Sequence, residues 1–142
     1  MTDLQVDAAQ KLIGTWKAVS FAAVDEQTGA QTRGFGDNPK GYLIFHPNRM
    51  FAFISFEGRN SAPQRAPDAP ALPSMMAYSG PYEVSEGSFT TMIDMSAFAG
   101  WIGTKQVRYF KLDGDTLEIT TPTMTRRDGG QGHSLLIWQR EN

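Results

Sequence analysis

A chain of 142 residues carrying a net charge of −2, with 13 Lys and Arg set against 15 Asp and Glu and no cysteine, has the length and make-up of one globular domain over residues 1–142. The missing cysteine excludes disulfides, thiol nucleophiles and thiolate metal sites. The basic residues are dispersed, which argues against nucleic acid or an anionic membrane as partner, and no apolar run approaches the about 20 residues that cross a bilayer. Met1-Thr2-Asp3-Leu4 lacks the basic start and apolar stretch of a secretory signal, so the chain reads as cytoplasmic.

In chain order, Thr2 and Gln5 have capping-box spacing, and Leu4, Ala8 and Leu12 fit a short amphipathic helix that Gly14 can end. A first strand follows over 15–24, opened by Gly14-Thr15-Trp16. Trp16 buries a large apolar area with a single N–H to satisfy, which suits a plug at the mouth of the fold. Residues 25–29 are a turn by composition, and 31–35 a short strand. Strands over 41–46 and 50–56 form a hairpin around Pro47-Asn48-Arg49. Residues 57–77, with four prolines, are a long irregular segment: either a lid or a surface excursion, with a helical turn near Ser74-Met75-Met76. Strands over 78–84 and 88–95 come next, then an irregular stretch over 96–100. Asp113-Gly114 is a hairpin turn between strands over 104–112 and 117–121. Residues 126–132 read as a polar, mobile loop before a last strand over 134–140.

Eight strands in a meander, with no helix able to support a parallel crossover, predict an all-β, eight-stranded antiparallel up-and-down barrel with an N-terminal helix. Closure of this kind removes exposed edges.

Six blocks stand in one order: Gly14-Thr15-Trp16, residues 38–44 (NPKGYLI), 77–84 (AYSGPYEV), 101–110 (WIGTKQVRYF), 112–117 (LDGDTL) and 136–140 (LIWQR). In this the chain resembles the lipocalin-like domain family of small bacterial and fungal proteins, over about residues 12–140. The resemblance implies a calycin-type barrel with a central cavity. Some members of that family act as cofactor-independent cyclases or isomerases in natural-product pathways. The chain departs from the pattern with Thr91 where members often carry His, and Ala99 where they often carry Pro.

Strand alternation selects the lining. With Lys105 toward water, Gln106, Arg108 and Phe110 face inward. An inward Arg108 has three readings: a cap on the Trp16 ring, for which Arg140 competes, a partner for a buried carboxylate, or an anchor for a ligand oxygen. Tyr78 and Tyr82, four apart with Gly80 between them, share a face; they either pack or donate to a ligand carbonyl, and Gly80 leaves room for something to approach the sheet. Asp94 and Glu83 read as outward. His46 and His133 lack metal-ligand spacing, and no Gly-x-Ser-x-Gly supports a serine triad.

The resulting expectation is a barrel that binds a small apolar or aromatic molecule without metal or cofactor. Arg108, Tyr78 and Tyr82 are the catalytic candidates. Trp16, Tyr42, Phe53, Thr91, Met95, Trp101, Gln106 and Trp138 are the ligand-lining candidates. Cyclisation or isomerisation by conformer capture is the leading activity. A non-catalytic carrier or sensor is the alternative, and a packed barrel working through a protein interface the third.

Overall fold

A computed structural model describes residues 3–33, 36–55, 75–125 and 129–141. A helix, α1 (Asp3–Leu12), leads into β1 (Gly14–Asp25), β2 (Gln31–Thr32), β3 (Gly41–Phe45) and β4 (Met50–Ser55). Then come β5 (Met75–Gly80), β6 (Tyr82–Ser85), β7 (Ser88–Met92), β8 (Met95–Ser96) and a 3-10 turn, Ala99–Trp101. The chain finishes with β9 (Lys105–Asp113), β10 (Thr116–Thr120), β11 (Met124–Thr125) and β12 (Gln131–Arg140). All described strands belong to one antiparallel sheet in the order β6-β7-β9-β10-β12-β1-β3-β4-β5-β8, with β2 on β1 and β11 on β12. Among the described residues, no helix is long and apolar enough to cross a membrane.

The expected eight strands become twelve for identifiable reasons. Pro81 has no N–H and splits one long strand into β5 and β6. Ile93 and Asp94 split its partner into β7 and β8. β2 keeps two residues of the short segment read over 31–35, outside the eight main strands, and β11 is a further two-residue strand. Pairing continues across both breaks, because Met92 N donates to Pro81 O at 2.9 Å and Asp94 N donates to Ser79 O at 3.0 Å. The ends of the strand path are therefore two halves of one bent hairpin, and the sheet curls back on itself as a barrel.

Gly80 makes that bend. A Cβ on it would lie 1.9 Å from the Met92 carbonyl oxygen. The space beside Gly80 is thus taken by the neighbouring backbone, which corrects the expectation that it admits a ligand.

Strand alternation sets the core. Trp16, Leu43, Phe45, Met50, Ala52, Val84, Phe89, Leu117 and Trp138 are buried on the inner face, and Leu12 of α1 is fully buried against them. Each of the larger aliphatic, Met and Phe side chains contributes about 1.5–3 kcal/mol by leaving water. Trp16 is the predicted plug: it is 0% exposed, and its Nε1 donates to Leu12 O at 2.9 Å, tying helix to barrel.

Several boundaries differ from the sequence reading. Met75 and Met76 are strand, not helical turn, because they pair with Ser55 and Ile54. Gln131 and Gly132 belong to β12, held by Thr125 and Asp25, and not to a mobile loop. Residues 56–74, 34–35 and 126–128, and the capping Thr2, lie outside the described residues; the lid assignment falls there.

Candidate functional site

β9 alternates as predicted. Gln106 faces Thr91 and Arg108 faces Phe89 across the β7–β9 ladder, and both partners are buried on the inner face. Arg108 is therefore inside the barrel. Its Nη1 donates to its own strand's Val107 O at 2.8 Å. Among the described residues, no carboxylate lies within ion-pair distance of it. Burial pulls its pKa below the ordinary arginine value, and Tyr78 offsets part of that.

Tyr78 enters the same space from β5, where it pairs with Ala52 on one side and Ser96 on the other. Its ring meets Trp101 edge-on, with centroids 5.5 Å apart. Burial raises the phenol above the ordinary tyrosine range, and the Arg108 cation opposes the rise. The phenol is thus held protonated as a donor at neutral pH. Thr91 is fully buried, and its Oγ1 has no hydrogen-bond partner among the described residues. It is the diagonal neighbour of Arg108 on one face of the ladder. Arg108, Tyr78, Thr91, Gln106 and Trp101 form this inner polar layer.

Other predicted residues stand elsewhere. Tyr82 is inward, but below the Gly80 bend, where its ring packs edge-on to Phe45 at 5.2 Å and its hydroxyl donates to His46 O at 2.8 Å. It stands opposite Thr91 in the β6–β7 ladder, and Tyr78 and Tyr82 both pack against the one buried core. Trp16 and Trp138 lie in the packed core, Trp138 against Phe21 at 5.1 Å, with the Trp138 Nε1 buried and unpartnered among the described residues.

Tyr42, Phe53 and Met95 correct the expected lining. They face outward, 41%, 36% and 70% exposed. Leu43 and Ala52 take the inward positions, so their neighbours Tyr42 and Phe53 pair with each other outside. Met95 follows the β7–β8 break and pairs with Ser79 there. Asp94 is outward as expected; Arg49 holds it with bonds of 2.8 and 2.6 Å and pulls its carboxyl below the usual range.

A second polar cluster occupies the outer face. His133 Nδ1 contacts Glu26 Oε1, which also accepts from Thr123 Oγ1 at 3.0 Å. It borders a shallow groove of about 350 Å³ with Tyr109 and Pro122. His133 pairs with Val24 on the side of β12 opposite Ser134 and Leu136, so the sheet separates it from Arg108. Among the described residues, no group of three His, Asp or Glu could hold a metal ion.

The sequence profile of the lipocalin-like domain family matches residues 13–141. The chain belongs to this lipocalin-like family. Over 80 residues it is 31% identical to a protein of Aspergillus oryzae (strain ATCC 42149 / RIB 40) named 4'-hydroxy-3'-methoxypropiophenone carrier protein ppsC, a match spanning 51% of this chain and 72% of that relative. It is also similar to a crystal structure of an uncharacterized protein from Bacteroides eggerthii DSM 20697, with a TM-score of 0.47 and 9% identity over 92% of this chain and 99% of that one.

Within this lipocalin-like barrel, sequence reasoning omitted three inward apolar residues, Ile54, Met76 and Leu136. Ile54 pairs with Met76, and Leu136 joins the core edge. Alternation from Ala52 would have found Ile54; Met76 needed the β4–β5 register, which composition does not carry.

Proposed function

We propose that this chain binds a small aromatic, oxygen-bearing molecule in the barrel interior, with Arg108 as the anchor and Tyr78 and Trp101 as an aromatic wall. The observation that carries this reading is Arg108 itself: an inward guanidinium that meets only a backbone carbonyl and a neutral phenol among the described residues. A cation drawn partly out of water is costly unless something pairs with it, and Arg140, not Arg108, caps Trp16. The family membership and the aryl-ketone carrier among the relatives support the same reading. Titration of the protein with 4'-hydroxy-3'-methoxypropiophenone and related aryl ketones, followed by tryptophan fluorescence, tests it. Saturable quenching that weakens at least tenfold in Arg108→Ala is expected. No quenching across the panel would sink the reading.

A cofactor-free cyclase or isomerase is the second reading. What favours it is the buried, protonated Tyr78 beside Arg108, a pair of donors suited to polarising a carbonyl. Among the described residues, the interior offers donors but no carboxylate or imidazole base, which favours binding over proton abstraction as the primary role. Incubating bound ligands and following them by mass spectrometry and chiral chromatography separates the two: unchanged ligand means a carrier, and a new isomer means a catalyst.

A further inference from the structure

We infer that the ligand is held as an oxyanion, an aromatic molecule whose ionised oxygen sits on the Arg108 guanidinium. This rests on the binding reading above and specifies the charge state of what is bound.

Arg108 carries five N–H donors, and the structure gives one bond to its guanidinium, Nη1 to Val107 O at 2.8 Å. Tyr78 adds a protonated hydroxyl, and it is the titratable group among the described residues that acts on Arg108.

Among the described residues, Asp94, Glu26, Glu83 and Glu118 lie on the other face. Asp94 is bound to Arg49, and Glu26 to His133. Glu83 is exposed, and Glu118 alternates with the inward Leu117 and Ile119. The tyrosine of the adjoining strand, Tyr82, is committed to His46 O.

The inner layer therefore holds one positive charge and surplus protons, and no described residue supplies the complement. A neutral carbonyl accepts hydrogen bonds but leaves the charge uncompensated. An oxyanion satisfies both, and a guanidinium can grip it with two parallel bonds. For a phenol the binding step is balanced: the O–H bond breaks, the proton passes to the solvent buffer, and the electron pair stays on the ligand oxygen. An opposite charge within about 4–6 Å lowers an acid's pKa by about 1–3 units.

Three probes test this on the intact chain: 4'-hydroxy-3'-methoxypropiophenone, its methyl ether 3',4'-dimethoxypropiophenone, and 3,4-dimethoxybenzoate. The expected result is a bound phenol that titrates, by its long-wavelength phenolate absorption, about 1–3 pH units below its midpoint in water. It should bind at least tenfold more tightly than the ether at neutral pH and release a proton seen calorimetrically in two buffers. Arg108→Gln should abolish the shift and the preference, and Arg108→Lys should retain part of both. Preference for the benzoate over the ether, with no phenol shift, also supports the oxyanion and identifies its source as a carboxylate. Equal binding of phenol and ether, with no shift and no preference for benzoate, overturns the inference and leaves the binding reading standing. No binding of any probe overturns both. The comparison among probes on the unaltered protein needs no variant to fold.

Discussion

Arg140 lies over Trp16, its guanidinium carbon 4.2 Å from the ring centroid. Its Nη1 donates to Ile13 O at 2.9 Å, and its Nη2 donates to Lys11 O. One side chain thus covers the plug residue and satisfies carbonyls at the end of α1, leaving Arg108 for the interior. Loss of the cation–π contact costs about 0.5–2 kcal/mol, and the freed carbonyls add to that. Arg140→Ala should therefore lower stability by about 2 kcal/mol in urea unfolding, with ligand binding per folded molecule unchanged. Arg140→Lys should recover only part, since an ammonium cannot stack flat and reach two carbonyls. An unchanged unfolding midpoint in Arg140→Ala would remove Arg140 as the clasp between helix and barrel.

Gly80 offers a sharper test of closure. An alanine Cβ there would meet the Met92 carbonyl oxygen at 1.9 Å and Ile93 Cα at 3.1 Å, both backbone. Neither strand can yield without opening the β5–β8 junction. Gly80→Ala should cost about 3 kcal/mol or prevent folding. Gly100→Ala, with nothing within 4 Å of the added Cβ, should change stability by less than about 0.5 kcal/mol. Comparable melting of the two variants would contradict the close approach.

The contrast between these positions marks what the sequence carries. Trp16 as plug, the Asp113-Gly114 turn and the inward phase of Gln106, Arg108 and Phe110 were readable, because each is local. β9 alternates cleanly with exposed Lys105, Val107 and Tyr109. Tyr42 and Phe53 were not readable, since both faces of β3 and β4 are apolar and composition leaves their phase open, and Met95 was not because the break at Ile93 and Asp94 resets the alternation. Which arginine covers Trp16 depends on register, with Trp16 opposite Arg140 in the β1–β12 ladder. The Arg49–Asp94 pair joins residues 45 apart and follows from the bend at Gly80.

The two outer ion pairs fix the acid limb of stability. Glu26 is held below its ordinary value of 4.5, first by its bond to His133 and then by Thr123. Asp94 is held below 3.8, first by its bond to Arg49. Both carboxyls bind protons more readily in the unfolded chain. Their contribution is therefore fully present above the ordinary carboxyl range and is lost as pH falls through the lowered folded values. Glu26→Gln and Asp94→Asn should each flatten the fall in melting temperature between about pH 5 and 2.5. Both groups are exposed, so the slopes should shrink further in high salt. Parallel acid limbs in wild type and both variants would dismiss these pairs as the source.

Tyr78 separates carrier from catalyst. Its phenol is enclosed, protonated and beside Arg108, so Tyr78→Phe deletes one donor while keeping the ring that meets Trp101. For a carrier, affinity should fall about fivefold, the value of one hydrogen bond of about 1 kcal/mol, with no conversion before or after the change. For a catalyst that polarises a carbonyl, turnover should fall by about 100-fold or more with little loss of affinity. Tyr82→Phe, whose hydroxyl serves His46 O, should alter stability and neither of those quantities.

At Thr91, stability and affinity should part company, because its hydroxyl bears on stability alone. Its hydroxyl is fully buried and has no partner among the described residues, so the folded chain bears its desolvation without return. Valine has the same shape without the oxygen. Thr91→Val should leave the unliganded protein as stable, or up to about 1 kcal/mol more stable, in urea unfolding. The same hydroxyl stands diagonal to Arg108 on the inner face but exposes no surface, so a ligand on the guanidinium does not meet it. Affinity for the phenolic probe should therefore stay within about twofold of the unaltered protein. A variant that loses stability would reveal a protein partner for the hydroxyl. One that loses about fivefold in affinity would show that the ligand opens the inner layer as far as Thr91.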